Sequence, residues 1–267
     1  MKLVNEDLDL EKIADSGQSF RWEKTGKNRW RVISADKVLY AVQEPDSDEV
    51  ELECSEQEFN SYWKNYLDLD TDYKKIREMI DSEDKFLVKS AVIGRGIRIL
   101  RQDPWEMLIT FLISQRKNIP AIKSCVEKIC ELAGKKLPGG LYAFPTAEEL
   151  VSHSEEELLG CSLGYRAKYI HETAKKFASG EYSIEMLSKL NDEELEKALL
   201  ELYGVGVKVA NCTMLFGFYR TDSFPIDVWM KRVLEEHYSE GFEFERYRPY
   251  NGIMQQYLFA YRKSVKS

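Results

Sequence analysis

The sequence has few of the residues that build metal centres or disulfide frameworks. It contains only 5 cysteines and 3 histidines among 267 residues. The cysteines are an odd number and none forms a Cys-X-X-Cys pair, while the histidines show no metal-ligand spacing. These absences argue against a disulfide framework, a zinc site and a four-cysteine iron–sulfur cluster. We therefore expect no metal centre.

A long hydrophobic run is also missing. No stretch approaches the roughly 18 apolar residues that a membrane-spanning helix needs. Residues 1–12 alternate Asp and Glu with Leu and contain no apolar signal core, so we expect no membrane partner and a cytoplasmic location. A hydrophobic fraction of 43% with 31% charged residues is typical of a globular protein with a sizeable core.

The chain has fewer basic than acidic side chains, and its formal net charge is −8. Taken alone, this value argues against a nucleic-acid partner. The distribution is uneven, however: residues 44–84 hold 15 acidic and 4 basic side chains, whereas residues 95–136 hold 9 basic and 4 acidic ones. The acidic segment reads most simply as a solvated surface. Because a local patch rather than the net charge meets a phosphate backbone, nucleic acid stays open as a partner.

The N-terminal residues read as β-structure. β-branched, aromatic and alternating residues are interrupted by turn residues, as in hairpins of a meander. The predicted strands are at 20–23, 30–34 and 38–43, with a further one at 50–54. From Ser55 onward the spacing becomes helical, beginning with a Ser55–Glu58 capping box.

The rest of the chain reads almost entirely as helix. Helices are predicted at 72–80, 83–92, from Asp103, at 119–132, from Thr146, from Ser154, and at 165–177, 192–202, 207–218, 228–237 and 248–263, with a loop at 136–145. We therefore predict an α+β fold, in which an N-terminal antiparallel twisted sheet with flanking helices (1–96) precedes an all-α region (97–267).

A turn between two predicted helices carries the most informative residues. The tetrapeptide YGVG, with Gly204 and Gly206, follows the helix at 192–202 and precedes another helix. Such a turn presents its amides at the positive end of a helix dipole, which forms an anion site. Lys208 lies in the first turn of the second helix, where an ammonium is disfavoured. It is therefore a candidate nucleophile as a free amine, the alternative being an ordinary surface charge.

A carboxylate follows this lysine nineteen residues later. Asp227, in the segment Pro-Ile-Asp, directly precedes an apolar helix and is well placed as its N-cap. The functional alternative is a carboxylate held at a helix start that faces the first turn of the preceding helix and therefore Lys208.

Taken together, these residues match a known pattern. The stretch LYGVGVKVANCTMLFGFYRTDSFPIDVWMKR closely resembles the helix-hairpin-helix motif, Gly/Pro-rich loop and aspartate of base-excision DNA glycosylases. The segments SGQSFRW, RQDPWEML, LGYRAKY and QQYLF resemble the 8-oxoguanine DNA glycosylase family, in matching order from about residue 17 to 259. The chain is thus similar to a bacterial or archaeal-type member, with its helix-hairpin-helix motif at 192–232.

The resemblance implies a bifunctional DNA glycosylase and abasic-site lyase. Such an enzyme flips 8-oxoguanine out of double-stranded DNA, excises it through a lysine Schiff base and cleaves the strand by β-elimination. Lys208 would be the nucleophile that attacks C1′. Asp227 would stabilise the positive charge that develops on the sugar.

The resemblance also assigns residues that bind the flipped base. The carbonyl of Gly17 would accept the N7 hydrogen that 8-oxoguanine has and guanine lacks. Phe259 and Cys212 would sandwich the base, and Gln255 would read its Watson–Crick edge. Unaided, Phe259 and Cys212 read as core residues and Gly17 as a turn residue.

Further residues would contact the DNA outside this pocket. Tyr165 would wedge into the base stack, and Arg166 would contact the orphaned opposite base. The amides at Gly204 and Gly206 would hold phosphate. Unaided, Tyr165 reads as a partly buried aromatic residue and Arg166 as a solvated charge.

The sequence departs from the eukaryotic members of the family at three positions. Arg116 stands where an asparagine fills the void left by the flipped base. Ala121 stands where a second arginine grips the opposite cytosine, and Trp229 where a histidine contacts phosphate. We expect Arg116 to fill space and contact DNA, and we expect only a modest preference for cytosine opposite the lesion.

Two alternatives stay open from the sequence. One is a glycosylase of the same superfamily that acts on another oxidised or alkylated base; the other is a non-catalytic helix-hairpin-helix protein that binds DNA. We expect a monomer that needs no cofactor. Whether a monovalent cation binds the carbonyls of residues 203–206, as this motif often allows, is left open.

Overall fold

The computed structural model describes residues 1–264 and begins with an antiparallel five-stranded sheet. Its strands are β1 (Lys2–Val4), β2 (Trp22–Gly26), β3 (Arg29–Ser34), β4 (Lys37–Val42) and β5 (Glu49–Leu52), in the order β1-β5-β4-β3-β2. The register pairs Trp30 with Ala41 and Val32 with Leu39, and all four are buried. The period-2 alternation thus places one face of the sheet on a core, and the predicted antiparallel sheet is confirmed.

The helical body that follows is also confirmed. The helices, including one π-helical and one 3-10 segment, are Leu10–Asp15, Glu56–Glu58, Phe59–Trp63 (π), Lys64–Tyr66, Tyr73–Glu78, Lys85–Ile93, Pro104–Ser114, Ile119–Ala133, Pro138–Gly140 (3-10), Ala147–Val151, Glu155–Gly160, Arg166–Ala178, Ile184–Ser188, Asp192–Leu200, Val207–Phe216, Val228–His237, Phe244–Tyr247 and Asn251–Ser264. Helix Pro104–Ser114 is the central one, because every residue from Trp105 to Ser114 is buried. It packs against Val207–Phe216, with the Phe111 and Phe216 rings 5.5 Å apart.

Local hydrogen bonds explain where several helices begin. Asp103 Oδ1 accepts from the Glu106 amide at 2.8 Å, and Thr146 and Ser154 each form a complete capping box. Of the capping box predicted at Ser55, only the hydrogen bond of the Ser55 side chain is confirmed; the reciprocal bond of Glu58 was predicted wrongly. Ser55 caps the helix, but Glu58 instead accepts from the Trp63 indole at 2.9 Å.

Five other details differ from the sequence predictions. The helix predicted at 248–263 begins at Asn251, because Arg248 precedes Pro249 and is held extended. The loop predicted at 136–145 contains a small hairpin, Lys136–Leu137 with Leu141–Tyr142. Strand β1 and the short helices Leu10–Asp15 and Ile184–Ser188 were not predicted, since they are too short to show periodicity.

Two hydrophobic clusters form the core. One lies between the sheet and the residues around Trp63, and the larger one fills the helical body. Tyr73 and Leu87 belong to the larger cluster although they precede residue 97. The division at residues 1–96 and 97–267 stays a prediction.

Neither a membrane-spanning helix nor a metal site is found in residues 1–264. Every helix in this range is too short or too polar to span a membrane. No group of three or more His, Cys, Asp or Glu side chains within the same residues could hold a metal ion.

Candidate active site

A cleft of about 800 Å³ opens between the central helix, the hairpin and the C-terminal helix. Seven of the eleven predicted site residues line it: Gly17, Arg116, Lys208, Cys212, Asp227, Gln255 and Phe259. Its charged side chains, within the described part of the chain, are three cations, Arg116, Lys117 and Lys208, and the carboxylate of Asp227. None of its lining residues comes from the acidic segment 44–84. Charge is therefore segregated in the fold, and this cleft is basic.

The predicted helix-hairpin-helix turn joins Asp192–Leu200 to Val207–Phe216. Gly204 has φ +86°, and a Cβ there would lie 2.3 Å from the Tyr169 ring, so only glycine fits. Gly206 is the N-cap of the second helix without any side-chain bond. The carbonyl of Gly204 accepts from Gln115 Nε2 at 3.1 Å, and that of Gly206 accepts from the Ala210 amide at 2.9 Å. Each oxygen keeps one lone pair, and the question of a cation at this turn stays open.

Lys208 lies in the first turn of the helix Val207–Phe216, directly after this hairpin, and lines the cleft. Its Nζ is 3.4 Å from Ser114 Oγ and 5.1 Å from the centre of the Phe111 ring, both on the central helix. The amine is therefore held at the cleft by a long hydrogen bond to Ser114, by an aromatic face and by a side-chain hydrogen bond with Cys212. The amine thus lines the cleft, where a bound ligand can reach it.

Cys212 follows Lys208 by one helical turn and is buried. Burial raises the pKa of its thiol, and the positive charge of Lys208 opposes that rise. The thiol therefore stays protonated at neutral pH. It offers a soft, uncharged surface to the cleft and is not the nucleophile.

Asp227 has the predicted cap. Its Oδ1 accepts from the amides of Trp229 and Met230 at 2.9 and 2.7 Å, which fixes the carboxylate at the start of Val228–His237. The same side chain lines the cleft. Capping and a role in chemistry are thus compatible, because the cap uses only one of the two oxygens.

Gly17 and Phe259 lie side by side at the cleft. Gly17 has φ +76°, and a Cβ there would lie 3.7 Å from Phe259 Cε1 and Cζ. The backbone of residue 17 therefore runs close to the ring edge. This proximity places a carbonyl-bearing turn and an aromatic face at the same wall of the cleft.

Gln255 has a fixed amide. Its Nε2 donates to the Pro225 carbonyl at 3.1 Å, and its Oε1 accepts from Gln256 Nε2 at 2.9 Å. The side chain is buried yet lines the cleft. One N–H and one lone pair are left over for a ligand.

Tyr165 and Arg166 lie outside the cleft and differ in exposure. Tyr165 is 51% exposed, as a wedge requires, and its ring meets Tyr169 edge-on with centroids 5.5 Å apart. Arg166 is only 6% exposed. Its guanidinium donates to the carbonyls of Leu163 and Gln115 and lies 4.4 Å from the Tyr165 ring. A contact from Arg166 to DNA stays a prediction.

Family models match nearly the whole of the chain. Residues 1–108 match the model of the 8-oxoguanine DNA glycosylase N-terminal domain, and residues 109–242 match the HhH-GPD superfamily of base excision DNA repair proteins. An N-glycosylase/DNA lyase of Saccharomyces cerevisiae is 31% identical over 260 residues, which cover 87% of this chain and 69% of the yeast protein. The chain belongs to the 8-oxoguanine DNA glycosylase family.

Solved structures of the family agree along nearly the whole chain. A complex of MBOgg1 with a low-affinity DNA ligand has a TM-score of 0.92 and 34% identity, covering 100% of this chain and 96% of that one. The Clostridium acetobutylicum 8-oxoguanine glycosylase/lyase, solved with double-stranded DNA containing cytosine opposite 8-oxoguanine, has a TM-score of 0.89 and 37% identity, covering 98% and 94%. The family and enzyme class predicted from the sequence are confirmed.

The three departures from the eukaryotic members of the family lie at or near the cleft. Arg116 is exposed, lines the cleft and has φ +53°, an uncommon conformation for a residue with a side chain. The Ala121 amide donates to the Asn118 cap at 3.0 Å. Trp229 is 40% exposed at the cleft, with the Arg232 guanidinium 5.1 Å from its ring.

Four residues of the site in this family member were not predicted. Phe111 and Ser114 hold Lys208, Gln115 bonds the hairpin turn, and Gln256 bonds Gln255. The first three lie towards the end of the central helix, where no spacing in the sequence marks them for a role in the site. Gln256 directly follows a predicted site residue, but nothing in the sequence shows which face of the helix it occupies.

Proposed function

We propose that this protein excises 8-oxoguanine from double-stranded DNA and then cleaves the strand at the resulting abasic site. The observation that carries the proposal is the convergence of Lys208 and Asp227 with Gly17, Gln255 and Phe259 on one basic cleft. These residues come from three distant parts of the chain. The relatives named N-glycosylase/DNA lyase and the glycosylase/lyase bound to DNA support the same activity.

The cleft suits an extruded purine. A volume of about 800 Å³ exceeds the needs of one base and leaves room for its sugar. The half-buried Phe259 ring and the uncharged Cys212 thiol supply apolar faces for stacking. The Gly17 carbonyl accepts the N7 hydrogen of the oxidised base, and normal guanine leaves that acceptor facing a lone pair.

The chemistry follows from the placement of Lys208. Its amine attacks C1′, the C1′–N9 bond breaks, and the base leaves with the electron pair and takes up a proton. Asp227 opposes the positive charge on the sugar in the transition state. Opening of the sugar ring gives the Schiff base, loss of a C2′ proton then expels the 3′ phosphate, and water releases the lysine.

The remaining properties are part of the same proposal. The protein acts as a monomer without a cofactor and works in the cytoplasm on nucleoid DNA. All five cysteines are free thiols, which supports a reducing compartment. The hairpin amides at Gly204 and Gly206 hold a DNA phosphate, Tyr165 enters the stack, and Arg166 meets the opposite base.

Borohydride trapping on a duplex that contains 8-oxoguanine tests the proposal. We expect the wild type to form a covalent protein–DNA adduct and Lys208→Gln to form none. Lys117→Gln is the matched control, because Lys117 also lines the cleft but bonds the Ser162 carbonyl at 3.0 Å; its adduct should persist.

Other outcomes of the trapping assay identify the alternatives. An adduct that forms only with another damaged base would indicate a different lesion specificity. Tight DNA binding without any adduct or excision would indicate a non-catalytic DNA-binding protein. Either result would overturn the proposed activity.

A further inference from the structure

Gln256 lines the cleft and has a buried acceptor without a hydrogen-bond partner among residues 1–264. The residue is 3% exposed, and its Nε2 donates to Gln255 Oε1 at 2.9 Å. Its own Oε1 is buried and has no hydrogen-bond partner within residues 1–264. Gln256 nevertheless lines the cleft, beside Gln255.

An unpaired acceptor in the wall of a cleft can be satisfied by a hydrogen-bond donor of a bound ligand. Leaving a buried polar atom without a hydrogen bond is costly, so native proteins pair nearly all of them. Bulk water does not serve Gln256 Oε1, because this atom is closed off from solvent. A base that packs against Gln256 in the cleft can supply the missing donor.

The hydrogen bonds of Gln255 indicate which donor of the base remains for Gln256. Its Nε2 donates to the Pro225 carbonyl and its Oε1 accepts from Gln256, so one N–H and one lone pair are left for a ligand. An amide that presents both pairs naturally with the lactam edge of 8-oxoguanine, donating to O6 and accepting from N1–H. The next group along that edge is the 2-amino group.

Gln256 Oε1 is the next acceptor on the protein side. It belongs to the same amide as the Nε2 that bonds Gln255 Oε1, so the two oxygens are neighbours. We infer that Gln256 is a second base-reading residue, whose Oε1 accepts a hydrogen bond from the 2-amino group of the flipped base. This inference rests on the proposed function, because it assumes that an 8-oxoguanine base occupies the cleft.

The inference has a specific consequence for selectivity. Guanine and 8-oxoguanine carry the same 2-amino group, so Gln256 does not tell them apart. It selects instead against oxidised purines that lack this group, such as 8-oxohypoxanthine. The Gly17 carbonyl and Gln256 thus have separate roles, because the first senses oxidation and the second senses a guanine-derived base.

A substrate–variant cycle tests the inference. Single-turnover excision is measured for the wild type and for Gln256→Met on two duplexes, with 8-oxoguanine or 8-oxohypoxanthine opposite cytosine. The Met variant keeps the side-chain length but removes the Oε1 acceptor together with the Nε2 donor to Gln255. We expect removal of the 2-amino group to slow the wild type about tenfold. The Met variant should lose at most about twofold, and the differing duplex pairing of the two lesions cancels in the comparison.

Controls make the result decisive. Thr173→Val removes a different buried oxygen, a hydroxyl that lacks a partner within the described chain. Thr173 does not line the cleft, so this variant should keep the tenfold ratio. Thermal melting reports folding, and Gln256→Leu replaces the Met variant if that one unfolds. An equal ratio in the wild type and the Gln256 variant would overturn the inference while excision by the wild type upholds the proposed function. Absence of wild-type excision would overturn both.

Discussion

Replacing Asp227 by Asn separates its role as a helix cap from its role in catalysis. Asn caps a helix about as well as Asp, and its Oδ1 retains both bonds, to the amides of Trp229 and Met230 at 2.9 and 2.7 Å. The lost charge also removes a favourable interaction with the helix dipole, worth about 0.3–1 kcal/mol. The free energy of unfolding should therefore fall by less than about 1 kcal/mol.

The effect on excision should be far larger. A carboxylate about 4 Å from a cationic sugar, at an effective dielectric constant of about 20, contributes about 4 kcal/mol. Asn retains part of this through its dipole, so single-turnover excision of 8-oxoguanine should fall by about 10²–10³. Urea unfolding on the same preparation measures the stability.

Asp72→Asn is the matched control. Asp72 caps Tyr73–Glu78 through the Lys75 amide at 3.1 Å and lies outside the cleft. Its substitution also removes a capping carboxylate, but excision should be unchanged. Near-wild-type excision by Asp227→Asn would refute the reasoning and leave Asp227 as a cap alone.

Three further predictions address binding, selectivity and pH. Phe259→Ala should weaken binding of the lesion duplex by about 1–3 kcal/mol and leave undamaged duplex unaffected; equal lesion binding would count against the sandwich. Ala121 has no side-chain donor, and a bidentate contact to a base is worth about 1–3 kcal/mol. In single-turnover assays, excision opposite cytosine should therefore exceed excision opposite the other bases by less than about a hundredfold. Burial raises the pKa of Glu106 to about 7 from 4.5, with Arg21 opposing and Asp103 and Glu127 adding to the rise. Between pH 4.5 and about 7, the carboxyl of the native state therefore keeps a proton that the carboxyl of the unfolded state has lost. The free energy of unfolding should fall by roughly 3 kcal/mol as the pH rises through this range. Glu106→Gln should flatten that slope in urea titrations at pH 4 to 8, and an unchanged slope would refute the assignment.

Local sequence rules predicted the elements that local interactions stabilise. Asp103, Thr146 and Ser154 cap helices as expected, because a cap needs only an amide three residues away. Strand β1 escaped prediction because its three residues gain order only by pairing with β5, nearly fifty residues distant. Long-range pairing of so short a segment leaves no periodicity in the sequence.

The same distinction applies to the site. The hairpin glycines, Lys208 and Asp227 could be proposed from the sequence because their pattern is one of spacing along the chain. Two partners of Lys208, Ser114 and Phe111, lie nearly a hundred residues away, and only the packing of two helices reveals them. Arg166 was read as a solvated charge or a DNA contact, and its burial against backbone carbonyls is a tertiary fact.

That burial of Arg166 bears on how the protein meets DNA. Its guanidinium donates to the Gln115 and Leu163 carbonyls, while Gln115 Nε2 donates to the Gly204 carbonyl at 3.1 Å. The proposed wedge, the loop that carries Arg116 and the hairpin turn are thus linked by one chain of hydrogen bonds. Breaking such bonds in a buried place leaves polar groups unpaired, at about 1–3 kcal/mol each, so the three elements hold their relative positions without DNA. Binding energy then goes to extruding the damaged base rather than to ordering the protein.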